Sequence, residues 1–351
     1  MPVRRSSPRR GPVVRRALLG GACAIALIAV SGCGVLGDGL DESKLIVYSG
    51  RAEELVQPII DEFTAASGIE VAVRYGDTAE LAAQLVEEDE QTAADVYFAQ
   101  DAGALGSLSE AGLLSELPQQ TLTAVPARFR SSDGTWVGTS GRARVMVYDP
   151  SQLSLAAVPD SVFALTDPRW KGKVGIAPTN ASFQAFVTAM RVLDGDERAR
   201  AWLEGMAANE VQTFDNNILV LNAAEDGLIS VGLINHYYWF QQVAEEGLAA
   251  VPARLKFLDS DDPGALVNVA GAGVLRPTDR EADAQRFVEF LLSREAQRFF
   301  TEQDKEYPLT EGVPLADGLP PLNRLETPPI DLSDLDSLDE TIEMIEEAGL
   351  L

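Results

Sequence analysis

Basic residues, cysteines and histidines are scarce in this 351-residue chain, and each shortage removes a class of function. Only 28 lysines and arginines face 54 acids, for a formal net charge of −26. Nucleic-acid phosphates would be repelled by such a chain. A surplus of acid suits solubility or the attraction of cations, and says little more by itself. The two cysteines, Cys23 and Cys33, both lie near the N-terminus. The body of the chain therefore has no thiol for a disulfide, a zinc-thiolate site or a nucleophile. The sole histidine, His236, belongs to neither a Ser-His-Asp nor an H-E-x-x-H pattern, and an enzyme is not expected. A two-carboxylate hydrolase has acids to draw on, but no specific pair stands out.

Long apolar runs are also scarce. The exception, Ala17–Val30, follows a segment with six arginines and no acid. Fourteen apolar residues suit a signal h-region and are short for a transmembrane helix. The next residues, "VSGC" (Val30–Cys33), resemble the lipobox of bacterial lipoproteins. Residues 1–32 are expected to be removed and Cys33 to be acylated, leaving a tether over 33–43. Without the six arginines the net charge is −32. The expected place is outside the cytoplasmic membrane, attached through lipid alone, at the periplasmic or cell-surface face. The Arg15–Arg16 pair lacks the rest of a twin-arginine pattern, so the export route stays open.

The remaining 308 residues exceed the usual single core and suggest two lobes. Alternating strand-like and helical spacings over Lys44–Gly50, Ala52–Ser67, Ile69–Tyr75, Thr78–Gln91 and Ala94–Ala99 predict β-α-β-α-β with parallel strands. Pro58 is a blemish in the first helix. Long extended stretches follow at Trp136–Asp149 and Leu266–Leu275. Strands are expected at Gly172–Pro178 and Gly227–Asn235, and helices at Asn180–Gly195 and Glu281–Phe300. A final helix would set Leu335, Leu338, Ile342 and Ile345 on one face. Two α/β lobes joined by two extended segments make a clamshell. Ligands in such sheets sit beyond the carboxyl ends of strands, at helix N-termini. Tyr48–Ala52, Tyr75–Asp77, Gln100, Asn180–Ser182 and Asn235–Tyr238 are expected to converge there.

The stretch "NHYYWF" (Asn235–Phe240) holds the only adjacent tyrosine pair. A free phenol, with a pKa near 10, is a poor anion. A bound cation of high charge deprotonates its ligands, and phenolate oxygen suits a hard ion such as Fe³⁺. Neighbours on a strand point apart, whereas at the first turn of a helix both oxygens can reach one ion. The dipeptide alone reads more readily as an aromatic core patch.

The stretches "VYSGR", "ADVYFAQ", "SGRARVMVYD", "PTNASF", "LINHYYW", "DPGALVNVAGAGVL" and "EYPL", in that order, resemble the ferric-iron-binding proteins of bacterial ABC importers. The likeness runs from Lys44 to the C-terminus. It implies a two-lobed, periplasmic-binding-protein-like class II α/β clamshell. The amino-terminal lobe would be 44–142 plus 268–318, and the carboxy-terminal lobe 143–267 plus 319–351. The resemblance implies Fe³⁺ held by Tyr237 and Tyr238 with a synergistic anion, carbonate or phosphate. The anion would lie at Asn180, Ala181 and Ser182, with Asn217, Asn235 and Arg142; Arg144 is a second arginine on the same stretch. Two ligands of some members are missing, since Ala52 stands in place of a His and Gln100 in place of a Glu. Either the anion and water fill the shell, or one of Tyr75, Gln100 and Asp101 completes it. The implied role is iron capture and delivery to an ABC permease and its ATPase by a monomer. The alternative is a binder of a chelated metal or small organic anion, with Arg51, Arg142 and the asparagines on a carboxylate or phosphonate. His236 matches no ligand and is expected to pack or hydrogen-bond.

Overall fold

The computed structural model describes residues 40–258 and 262–351. The leader, Cys33 and the tether up to residue 39 lie outside the described residues. The chain opens with the expected alternation: β1 (Leu45–Ser49), α1 (Glu53–Ser67), β2 (Val71–Tyr75), α2 (Thr78–Glu88), β3 (Val96–Ala99) and α3 (Ala102–Glu110). Pro58 sits inside α1 without ending it. The helix stops at Gly68, whose φ of 74° is the left-handed conformation that glycine adopts without strain. β1 pairs in parallel with both β2 and β3.

After α4 (Gln119–Thr123) comes β4 (Trp136–Tyr148), thirteen buried residues. Then follow β5 (Val174–Ile176), α5 (Ala181–Asp194), α6 (Asp196–Ala208), β6 (Gln212–Thr213), α7 (Asn217–Glu225), β7 (Val231–Asn235), α8 (His236–Glu246) and β8 (Arg254–Lys256). The chain ends with β9 (Val267–Val274), α9 (Glu281–Leu291), α10 (Arg294–Glu302), β10 (Tyr307–Pro308) and α11 (Leu338–Glu347). The single helix expected over Glu281–Phe300 is two. Leu292 leaves the helix, and the Ser293 hydroxyl accepts from Ala296 N–H, capping a second helix. The final helix begins at Leu338, so Leu335 lies in a preceding 3₁₀ turn and not on its face.

The strands run in the order β2-β1-β3-β9-β4-β7-β5-β6, with β8 and β10 also pairing with β4. β4 belongs to both halves. From Trp136 to Ala143 it pairs antiparallel with β9; from Arg144 to Tyr148 it pairs antiparallel with β7. One core is built by α1, α3, α9 and the first strands, with Phe63 edge-to-face on Phe287 at 5.0 Å. A second lies under α5 and α6, with Phe186 edge-to-face on Trp202 at 5.6 Å. The C-terminal segment touches both. Leu332 and Leu335 enter the first core, and Met344, Ile345 and Leu350 the second. Its backbone lies so close to α3 that a Cβ at Gly103 would sit 2.2 Å from the Leu335 carbonyl oxygen.

Charge is buried where the loop after β1 meets the turn between α10 and β10. Arg51, 1% exposed, donates through Nη1 to both oxygens of Glu306 at 3.1 Å, and its Nη2 lies 3.5 Å from Asp304. Ser140 of β4 also donates to Glu306. Burial lifts the Asp304 carboxyl to about 8, with the Glu306 charge adding to it. Burial also works against ionised Glu306, but Arg51 and Arg142 outweigh it and hold its carboxyl low. A buried pair broken on one side leaves an uncompensated charge. Glu306→Ala is expected to lower stability by about 3–5 kcal/mol in chemical denaturation. A loss below about 1 kcal/mol would mean that water reaches Arg51.

Candidate functional site

The site begins at the β7–α8 junction. Asn235 is extended and the helix starts at His236, so Tyr237 and Tyr238 fall in its first turn. Their rings stack with centroids 4.1 Å apart and an interplanar angle of 30°. Tyr237 is 2% exposed, while Tyr238 is partly open. Burial drives the Tyr237 phenol well above its ordinary value, and Tyr238 beside it adds to the shift. The Tyr237 phenol therefore keeps its proton until a strong cation displaces it.

β4 supplies the counterpart. Arg142 and Arg144 are two residues apart, so they share a strand face. Arg142 stands opposite Asn268 of β9, and Arg144 opposite Asn235 of β7. Each is 3% exposed. Arg144 donates to the Ser182 hydroxyl at 3.1 Å and the Leu233 carbonyl at 3.3 Å, and lies over the rings of Phe183 and Phe186. Burial pushes it down to about 9, so it is still a cation at neutral pH. Burial lowers Arg142 as well, against the pull of Glu306. Neither forms an ion pair with a carboxylate among the described residues. The Nε of each is buried without a hydrogen-bond partner. Two buried cations without a direct ion pair, each with an unsatisfied donor, fit an anionic guest, although Glu306 and Asp101 lie near Arg142.

The start of α5 faces the same space. Asn180 caps it, its Oδ1 accepting from Ser182 N at 3.0 Å and Ser182 Oγ at 2.6 Å. Ala181 is the first helical residue. Asn217 donates to Ser182 Oγ at 3.3 Å, while its own buried Oδ1 has no partner. From the other side, Gln100 ends β3 with its Oε1 buried and unpartnered. Asp101 caps α3 and accepts from Ala104 N at 3.2 Å; burial raises its carboxyl.

Gln100, Asp101, Arg142, Arg144, Ser182 and Asn235 thus converge on one small cavity, closed by Leu266 and Asn268. Its interior takes about one water-sized sphere, near 10 Å³. A larger groove of about 730 Å³ shares Asp101 with it, but that groove has no guanidinium on its walls. The smaller cavity holds both arginines, and Tyr237 and Tyr238 are not on its wall. Tyr75 is not on its wall: the phenol donates to Gln57 of α1 at 2.6 Å. Ala52 is exposed, and Arg51 is occupied by Glu306 and Asp304. Among the described residues no group of three His, Cys, Asp or Glu is arranged to hold a metal ion. Asn268 and the Arg51–Glu306 pair were missed from sequence. The β4 alternation that puts Arg144 beside Arg142 was the available signal for the second arginine.

His236 is fully buried. Nδ1 accepts from Ala143 N–H at 3.1 Å, and Nε2 faces the Lys305 carbonyl at 3.0 Å. Nε2 therefore bears the proton. Burial drives the imidazole down to about 4 from its ordinary 6.5. An imidazole that is neutral when folded and charged when unfolded stabilises the fold above pH 6.5, and that contribution fades as pH falls to about 4. The stability of the wild type relative to His236→Asn should therefore decline by about 3 kcal/mol across that window in thermal unfolding at fixed ionic strength. A pH-independent difference would contradict the buried neutral ring.

Comparison with known proteins identifies the family. Residues 91–333 match the model of the bacterial extracellular solute-binding protein family. The chain is 36% identical over 313 residues to the major ferric iron-binding protein of Neisseria meningitidis serogroup B, covering 88% of this chain and 93% of that one. Iron-bound HitA from Pseudomonas aeruginosa superposes with a TM-score of 0.82 at 34% identity, over 88% of this chain and 99% of that one. The Trichodesmium protein (IdiA, FutA) in complex with iron and citrate gives 0.75 at 28% identity, over 88% and 100%. These neighbours are two-lobed periplasmic binding proteins, as the sequence led us to expect. The chain belongs to the bacterial extracellular solute-binding proteins, in the group of ferric iron-binding proteins of transferrin type.

Proposed function

We propose that this protein captures Fe³⁺ outside the cytoplasmic membrane, with Tyr237 and Tyr238 as phenolate ligands, and delivers it to an ABC permease. The stacked pair at the first turn of α8, beside buried arginines, is the observation that carries this. A phenol whose proton is held as firmly as that of Tyr237 ionises only for a cation of high charge. Iron binding should then release about two protons from the pair.

A synergistic anion, carbonate or phosphate, would complete the shell. Its holders are the α5 start at Asn180, Ala181 and Ser182, then Asn217 and Asn235, with Arg142 as the main countercharge. The orphaned Arg142 Nε and Asn217 Oδ1 support this. Gln100 and Asp101 stand on the cavity wall and are the nearest candidates for a further ligand. The lobes would be 44–142 with 268–318, and 143–267 with 319–351, although Leu319, Leu332 and Leu335 pack on the first core; the hinge would lie where β4 passes from β9 to β7. Lobe closure would bury the ion, and the permease would meet the closed rim. Cys33 would anchor the monomer by lipid after loss of residues 1–32. A second reading, a chelated ferric ion or an organic anion alone, is favoured by two buried arginines that form no direct ion pair among the described residues.

The test is a visible spectrum of the purified protein titrated with ferric nitrilotriacetate, beside Tyr237→Phe/Tyr238→Phe. A phenolate-to-iron band saturating near one iron per chain, absent in the variant, is expected. A folded wild type without the band would make the organic-anion reading the better one.

A further inference from the structure

β4 changes partner between Ala143 and Arg144, from β9 to β7. At that crossing the Ala143 N–H is buried, and its acceptor is a side chain, the His236 Nδ1. The same ring uses its other nitrogen on the Lys305 carbonyl. Lys305 sits at φ 62°, an uncommon conformation for a non-glycine residue, in the turn between α10 and β10. The imidazole also rests against Tyr307, centroids 4.8 Å apart. Both nitrogens are therefore occupied and the ring is closed to solvent, so it has no atom to offer a ligand.

The two partners lie on different parts of the molecule. His236 opens the helix that leaves β7, whereas Lys305 is flanked by Asp304 and Glu306, which hold Arg51 at the end of β1. Gln241 of α8 adds a second tie, donating to the Asp304 carbonyl at 3.2 Å. Tyr237 is the next residue along from the ring. A merely apolar aromatic in this place would keep the stack on Tyr307 and strand a buried N–H and a buried carbonyl.

We propose that His236 is a positioning residue for the tyrosine pair, pinning the first turn of α8 to the crossing strand and to the Lys305 turn, so that the hinge angle and the placement of Tyr237 are set together. Its consequence for iron rests on the function proposed above. The pin itself does not.

Three variants separate the parts. Asn places an acceptor where Nδ1 stands and loses the reach to Lys305. Gln reaches Lys305 and loses the acceptor for Ala143. Phe keeps the stack and loses both. Two readouts are taken on the whole protein: the exchange rate of the Ala143 amide with the Tyr237 ring resonances by NMR, and the rate of iron release to excess citrate with the position of the visible band. His236→Phe should release iron roughly 5- to 30-fold faster, as loss of one or two hydrogen bonds implies. Its visible band should shift and its Ala143 amide exchange faster. His236→Asn should keep the amide protected and recover part of the release rate. If Phe does not fold, Asn and Gln carry the test through their opposite effects on the Ala143 amide. Release within twofold of wild type and an unshifted band, in variants whose tie is broken, would overturn the proposal. If the wild type shows no iron band, the iron reading fails, and the Ala143 amide and Tyr237 ring still decide the pin. Unchanged values there overturn it.

Discussion

The site depends on one strand serving two ladders. β4 cannot turn from β9 to β7 without exposing backbone groups at the crossing, and the protein places its most consequential side chains there. Arg142 precedes the switch and Arg144 follows it. Ala143 between them gives its N–H to the histidine in front of the tyrosine pair. The same short stretch thus completes the backbone accounting at the strand switch and puts Arg142 and Arg144 on the cavity wall.

Burying guanidinium groups without carboxylates is unfavourable, and ordinary folds avoid it. The structure treats its three buried arginines differently. Arg51 has two acids and a hydroxyl network, so it is part of the framework. Arg144 rests on two phenyl rings, a serine and a carbonyl, which stabilise it without neutralising it. Arg142, beside the cavity, feels the charges of Glu306 and Asp101 without an ion pair to either. The Nε of all three is buried without a partner, and at Arg142 and Arg144 a bound anion would satisfy it.

Much of this was legible in the sequence, for reasons that differ by element. The β-α-β-α-β opening followed from spacing alone, because each strand and helix there buries one periodic face. The tyrosine pair at a strand-to-helix junction was also legible, since "GLISVGLIN" reads as a buried strand with a polar end. The break at Ser293 was not, because the apolar period runs through it and only a capping serine interrupts the helix. Leu335 was misplaced for a related reason. Its apolar spacing continues that of α11, but its packing partner is α3, across glycines that let the backbones touch. Asn268 and Glu306 were invisible as site residues because strand pairing and contacts over more than 160 residues of chain bring them there.

The central claim is that two adjacent phenols hold the guest ion, with an arginine-bound anion completing the shell. A crystal structure of the protein loaded with ferric iron and carbonate or phosphate tests it most directly. The account predicts the iron bonded to the oxygens of both Tyr237 and Tyr238, and an anion on that iron within hydrogen-bond reach of Arg142 and the start of α5. Iron bound elsewhere, with the two rings still stacked as neutral phenols, would contradict it.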